Sequence, residues 1–267
     1  MLLLLISAFV LLPWAGAGRI TGGWEVKPHS RPYMAYVSIT SDLDGCNPET
    51  FPCGGFLIHP HAVLSAAHCV AGKRKVTIRV TLGAHNIKKE EPSWQVFHID
   101  HWVIHPNYSD TNYKNDIMLL KLKPKANLTK EVKTISLASQ NDYVKPGRTC
   151  QVAGWGKTSL NEGLSSVLRE VDLKVQREEE CVETFKMKYI QQSMVCAGDK
   201  DGKKSTFRGD SGGPLVCKGK AHGIVSYGRR NHFFPKVFTR VSYFEPWICK
   251  ELRKFLLQDL PECSSSD

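Results

Sequence analysis

Between Phe56 and Gly228 the chain repeats one device, a short run of β-branched, aromatic and aliphatic residues closed off by Gly, Pro, Asn or Asp. "FLIHPHAVLSAA", "KVTIRVTLG", "VFHIDHWVIH", "NDIMLLKL" and "GIVSYG" are the clearest examples. Such residues pack well on a pleated surface, and the breakers between them supply turns. Many short strands at this spacing fit an antiparallel sandwich or barrels. At 267 residues the chain accommodates one large domain or two small ones. No repeat of about 20 to 50 residues, which would build a solenoid, is visible. The C-terminal segment "YFEPWICKELRKFLLQDL" differs: Trp247, Ile248, Leu252, Phe255, Leu256 and Leu260 recur at helical spacing. That pattern predicts a terminal helix docked on the core.

The N-terminus, "MLLLLISAFVLLPWAGAG", has an apolar stretch from Leu2 to Leu12, a breaker at Pro13 and small residues Ala15, Gly16 and Ala17. A bilayer span needs about 20 apolar residues, so this run is too short for an anchor and reads as a secretory signal ending near Ala17. Its first residues carry no Lys or Arg, which departs from the usual signal pattern. No other stretch is long and apolar enough to cross a membrane.

Cysteine usage agrees with export. Cys46, Cys53, Cys69, Cys150, Cys181, Cys196, Cys217, Cys249 and Cys263 form no paired CxxC spacing, so they predict disulfides rather than a zinc cluster. Nine is odd, so at least one stays free or pairs with another chain. Sequons at Asn107 and Asn127 predict surface glycosylation in a secreted protein.

Three motifs carry the chemistry when read together: "LSAAHC" with His68, "NDIMLLKL" with Asp116 and "FRGDSGGPLVC" with Ser211. Any one alone is a weak signal. In this order, and with "ITGG", "CGGFLI", "CQVAGWG" and "SYG", the chain resembles the chymotrypsin-type (trypsin-like) serine proteases from about Ile20 to Leu256. "KPHSRPYMA", "GIVSYGR" and "VFTRVSYFEPWI" resemble its granzyme, mast-cell chymase and cathepsin G branch. The resemblance implies an all-β fold of two six-stranded antiparallel β-barrels, roughly residues 20–133 and 134–245, followed by a C-terminal helix and a short tail. Residues 1–17 would be the signal, 18–19 an activation dipeptide and 20–267 the protease domain.

What the resemblance implies for chemistry is specific. A serine hydroxyl is a poor nucleophile until an imidazole takes its proton, so His68 acts as general base toward Ser211 and then as acid toward the leaving amine. Asp116 fixes the tautomer, and the N–H groups of Gly209 and Ser211 form the oxyanion hole. No cofactor or metal enters. Calcium binding of the trypsin kind is not expected, because Ala84 sits where those enzymes place an acidic ligand. A metal site built from His59, His61 and His68 is a weaker reading. After cleavage before Ile20, the new amino group would pair with Asp210. Arg19 departs from the acidic dipeptide of many relatives and leaves the activator open between a tryptic protease and a dipeptidyl peptidase. The implied disulfides are Cys53–Cys69, Cys150–Cys217 and Cys181–Cys196. Phe207 replaces the family's cysteine beside the primary pocket. Cys46, Cys249 and Cys263 are left as free thiols, one short-range bond, or an interchain bond that would make a dimer instead of a monomer.

Specificity rests on the pocket. By the resemblance Ser205 forms its floor, where trypsin-like cleavage after Lys or Arg would need an acid. Ser226, Tyr227 and Gly228 form the edge that pairs with substrate, and Arg208 sits on the rim. In "NHFFPKVFTRV", Lys236 interrupts an apolar run. Alone it reads as a strand-edge lysine with its stem over apolar side chains. Within the resemblance it lines the back of the pocket, where granzyme B carries arginine and cleaves after aspartate. An acidic P1 is favoured if the amine points inward, and an apolar or Met-type P1, as in chymases, if it reaches out to water.

Removing residues 1–19 takes away only Arg19 among the charged groups, leaving 35 basic and 26 acidic residues and a net charge of +9. That excess, with Lys73-Arg74-Lys75 and Arg79, Lys88-Lys89, and Lys250 with Arg253-Lys254, suits a sulfated proteoglycan in a storage granule. Nucleic acid is disfavoured, since no binding fold or aromatic platform is recognisable. Protein substrates and serpin-type inhibitors are the other partners implied, in the secretory pathway, a granule or the extracellular space. The rival class is an inactive cationic antimicrobial or binding relative. Such proteins typically lose the catalytic His or Ser, and both are present here.

Overall fold

The computed structural model describes residues 22–42, 48–159, 161–229 and 232–257. The predicted signal, Arg19, Ile20, Cys46, Leu260 and Cys263 lie outside the described residues. In chain order the first strands are β1 (Trp24–Glu25), β2 (Met34–Asp42), β3 (Pro48–His59), β4 (Ala62–Ser65), β5 (Thr77–Leu82), β6 (Gln95–Ile99), β7 (Trp102–Ile104) and β8 (Met118–Lys121). There follow β9 (Ser136–Leu137), β10 (Thr149–Gly154), β11 (Arg169–Val175), α1 (Glu178–Phe185), β12 (Met194–Gly198), β13 (Pro214–Cys217), β14 (Lys220–Gly228), β15 (Lys236–Arg240) and α2 (Val241–Leu257).

The second sheet runs β11-β10-β13-β14-β15-β12 and returns to β11 by antiparallel pairing of Lys174 with Gly198, which closes a six-stranded barrel. β1 and β9 are attached to its outside, on β11 and β14. The first sheet runs β6-β5-β2-β3-β4-β8-β7. Its two end strands are consecutive in the chain, separated only by Asp100 and His101. β6 and β7 therefore act as one bent strand, and the Lys121 N–H bond to His101 O at 3.0 Å holds the bend. Counted so, this barrel also has six strands, as expected.

Alternation explains the burial. Along β2, Val37 and Ile39 point inward while Tyr36, Ser38 and Thr40 are only partly covered, the period of a strand with one face on a core. Val37, Ile39, Phe56, Leu64, Ile78 and Leu120 fill the first barrel, and Val152, Leu173, Leu215, Val225 and Phe238 the second. α2 leaves the last strand of the second barrel yet packs against the first. Phe244, Ile248 and Phe255 join the first core, with Phe255 also meeting His101 at 5.3 Å. Burying side chains of this size contributes about 1.5 to 3 kcal/mol each, so the helix straps the two halves together. Arg31 adds a bidentate bond to Glu170, 2.6 Å at each nitrogen, tying the N-terminal segment to β11.

The three expected disulfides are present: Cys53–Cys69, Cys150–Cys217 and Cys181–Cys196. Among the described residues Cys249 is free and exposed. α1 was not expected. Its first turn, Glu178-Glu179-Glu180, places negative charge where the helix dipole favours it, and Cys181 and Phe185 bury its inner face. No helix among the described residues is long and apolar enough to cross a membrane.

Candidate active site

The candidate site lies in the seam between the barrels. A short 3-10 turn, Ala67–Cys69, follows β4 and carries His68 from the first barrel, with its buried neighbours Ala67 and Cys69 holding it down. Asp116 stands two residues before β8 and is fully buried. Its Oδ2 lies 2.7 Å from His68 Nδ1, and its Oδ1 accepts the His68 backbone N–H at 2.9 Å. The second barrel completes the shell: Ser226 Oγ donates to Asp116 Oδ2 at 2.5 Å, and Thr239 Oγ donates to the Asp116 carbonyl at 2.7 Å. Burial opposes ionisation of Asp116. The positive field of His68 and the bonds from His68 and Ser226 outweigh it and hold the carboxyl below its ordinary range.

Ser211 stands in the tight turn between Thr206 and Pro214. Its carbonyl accepts the Gly54 N–H at 2.7 Å, a bond that crosses from one barrel to the other. The turn is closed by Asp210 N–H to Phe207 O and Gly213 N–H to Asp210 O, both 3.0 Å. Gly209 sits at φ +105°, a conformation open to glycine, and a Cβ there would lie 2.8 Å from the Gly156 Cα. The backbone beside Ser211 thus reaches its position only without a side chain at 209.

Asp210 is fully buried, and its carboxylate accepts the N–H groups of Gly156 at 2.9 Å and Phe207 at 2.8 Å. Burial dominates these bonds and pushes its pKa up to about 6. Ile20, its expected partner, lies outside the described residues.

Lys236 opens β15 and is the cross-strand partner of Gly228. A Cβ on Gly228 would meet the Lys236 stem at 2.5 Å, so the lysine runs across the bare glycine. Its Nζ lies 5.9 Å from the centre of the Phe207 ring and feels the charge of Asp210. The amine therefore points inward rather than out to water. Burial lowers its pKa, partly offset by Asp210, and among the described residues no carboxylate is within 4 Å of it. Ser205 is fully buried, with its hydroxyl turned to Phe233 O at 2.8 Å. Arg208 is exposed.

Two participants escaped the sequence reading. Tyr113, at φ +57°, stacks on Tyr227 at 5.2 Å and meets the His68 ring edge-on at 5.8 Å. Thr239 is the other, and only its place two residues after Val237 in the quoted motif could have hinted at it. Asn107 and Asn127 are both exposed, and remote basic residues Arg74, Lys75, Arg79, Lys88 and Lys89 face solvent. Among the described residues no group of His, Cys, Asp and Glu is arranged to hold a metal ion.

Similarity to known proteins places the chain in a family. The Trypsin family model matches residues 20–248. The chain is 47% identical to duodenase-1 of Bos taurus over 97% of its own length and 99% of that protein. It is 48% identical to granzyme B of Rattus norvegicus over 95% of its own length and 99% of that protein. A solved structure described as "Structure of GrC" superposes with a TM-score of 0.80 at 45% identity, covering 87% of this chain and 99% of the other. The chain belongs to the trypsin family and is a serine endopeptidase, with granzymes, duodenase and related proteases among its relatives.

Proposed function

We propose that this chain is a secreted or granule-stored endopeptidase of granzyme type that cleaves after Asp or Glu. Ser211 attacks the scissile carbonyl, and His68 takes its proton and returns it to the leaving amine. Asp116 orients the imidazole and stabilises its cation. The backbone N–H groups of Gly209 and Ser211 bind the oxyanion, a contribution of about 10²- to 10³-fold per donor. Release of the Ile20 amino group would give Asp210, which otherwise feels only the more distant charge of Lys236, a direct charge partner for its buried carboxyl.

The observation that carries the P1 reading is the direction of Lys236, whose stem crosses Gly228 and whose amine faces Phe207. A bulky apolar P1 gains about 1.5 to 3 kcal/mol from burial but would leave that ammonium desolvated and unpaired, at a cost of about 2 to 5 kcal/mol. An acidic P1 supplies the missing partner. The Ser205 hydroxyl, already engaged with a carbonyl, adds no competing charge. The outward-facing basic clusters suit a sulfated proteoglycan during storage.

The test is a P1 panel of Asp, Glu, Phe, Leu, Met and Lys on protein cleaved before Ile20, with Lys236→Met and Ser211→Ala alongside. A serine-directed fluorophosphonate should label the wild type and not Ser211→Ala. Asp and Glu should lead in the wild type and lose their lead in Lys236→Met. Leadership by Phe in both would defeat the acidic reading, and absence of labelling would defeat the nucleophile assignment.

A further inference from the structure

Lys73 does not behave like the basic cluster to which its sequence assigns it. Arg74 and Lys75 face solvent, and Lys75 Nζ lies 3.5 Å from Asp42. The Lys73 side chain instead folds back: its Nζ donates to the His68 carbonyl at 3.3 Å and lies 5.5 Å from the centre of the Phe51 ring. Burial lowers the pKa of this amine. Among the described residues it has no carboxylate partner. An ammonium has three donors, and a single long bond to a carbonyl leaves two of them unused.

The position matters more than the charge. His68 has two flanks. On one, Tyr113 meets its ring and stacks on Tyr227, beside the Ser226–Gly228 edge. On the other, the Cys53–Cys69 bridge lies beside Ser211, Gly54 bonds the Ser211 carbonyl, and Phe51 precedes Cys53 on the same strand. A peptide paired with Ser226–Gly228 and attacked at Ser211 must leave the site over this second flank. Its first residues beyond the scissile bond then pass Phe51 and Lys73.

We propose that Lys73 is a specificity-determining residue on the leaving-group side, where its ammonium receives an acidic side chain from one of the first two residues after the scissile bond. The proposal rests on the reading of Ser211 as nucleophile and of Ser226–Gly228 as the substrate edge. Packing on Phe51 and the bond to His68 O hold the amine in place before substrate arrives, so little side-chain entropy is lost on pairing. The enzyme would then select acids on both sides of the bond, with Lys236 before it and Lys73 after it.

The experiment uses internally quenched peptides that share the best P1 from the panel and carry Asp, Asn or Lys at each of the next two positions. The readout is the Asp-to-Asn ratio of kcat/KM formed within each variant, so a general loss of activity cancels. A half-buried ion pair should give a ratio of roughly fivefold at one of the two positions in the wild type. Lys73→Arg should retain it, Lys73→Met should bring it to about one, and Lys73→Glu should favour the Lys peptide. If Lys73 acted only through His68, the pH profiles of all peptides would shift together and the ratio would not move. A wild-type ratio of one at both positions, or a ratio that survives in Lys73→Met, overturns the proposal. Cleavage that persists in Ser211→Ala would overturn the reading beneath it as well.

Discussion

Gly228→Ala should remove the acidic preference without touching a charged residue. A Cβ at 228 would sit 2.5 Å from Lys236 Cδ, 3.0 Å from Nζ and 3.2 Å from Cε. Ordinary contacts between such atoms are about 3.5 to 4 Å, so the stem must swing away by roughly 1 Å. What is hit is the end of a flexible side chain, and Gly228 is not in the left-handed region, so β14 itself can accept alanine. Two unit charges about 4 Å apart at an effective dielectric near 20 attract by about 4 kcal/mol. Partial solvent exposure and competing hydration reduce this to about 2 kcal/mol, or about 30-fold in kcat/KM. The assay compares matched peptides with Asp, Asn and Phe at P1, with thermal unfolding as a control for stability. Asp turnover should fall about 30-fold, Asn and Phe should fall little, and the double variant with Lys236→Met should lose no more than either single one. Equal losses on all three peptides, or an undiminished Asp rate, would refute the inward lysine as the source of specificity.

Three further outcomes are expected. Asp116→Asn should lower kcat by about 10⁴-fold while leaving the fold intact, because the amide imposes the wrong imidazole tautomer, checked by steady-state kinetics and circular dichroism. In the chain with the Arg19–Ile20 bond intact, Asp210 binds a proton up to about pH 6 in the folded state, whereas the unfolded chain releases it near pH 4. The contribution of Asp210 to stability should therefore fall by about 3 kcal/mol as pH rises from about 4 to 6, read as the difference between wild type and Asp210→Asn in denaturant titrations, and cleavage before Ile20 should flatten or reverse that difference. Glu170→Ala removes the buried half of the bidentate Arg31 bond. Because Arg31 retains some exposure, the loss should be about 2 to 3 kcal/mol by chemical unfolding, toward the lower end for a broken buried pair.

Much of the fold and the candidate site was legible, for different reasons. Strand runs such as "KVTIRVTLG" and "NDIMLLKL" declare themselves because alternation and β-branching are local properties, and they became β5 and β8. The run "VFHIDHWVIH" reads as one strand but bends at Asp100 and His101, since closing the barrel requires its two halves to pair with different neighbours. α1 was invisible because its eight residues show only Cys181 and Phe185 to the core. Its stability is tertiary, from the Cys181–Cys196 bridge and the Glu178 bonds to Tyr189 and Arg240. The order of the His, Asp and Ser motifs identified the candidate residues, but Thr239 joins them only by its bond across the seam to Asp116, and Tyr113 only by ring contacts with His68 and, across the seam, Tyr227. The direction of Lys236 depends on a glycine in another strand, and that of Lys73 on the Phe51 ring more than twenty residues away. Neither is a local property, so no reading of the flanking sequence could separate these two lysines from surface ones.

The direction of Lys236 in the working enzyme is read most directly from a crystal structure of the chain, cleaved before Ile20, with Ser211 trapped by a peptide phosphonate carrying Asp at P1. The Asp carboxylate should lie within hydrogen-bonding reach of Lys236 Nζ, about 2.7 to 2.9 Å, with the lysine stem still crossing Gly228. A Lys236 amine turned out to solvent, with the P1 carboxylate bound elsewhere, would contradict the inward lysine as the source of specificity.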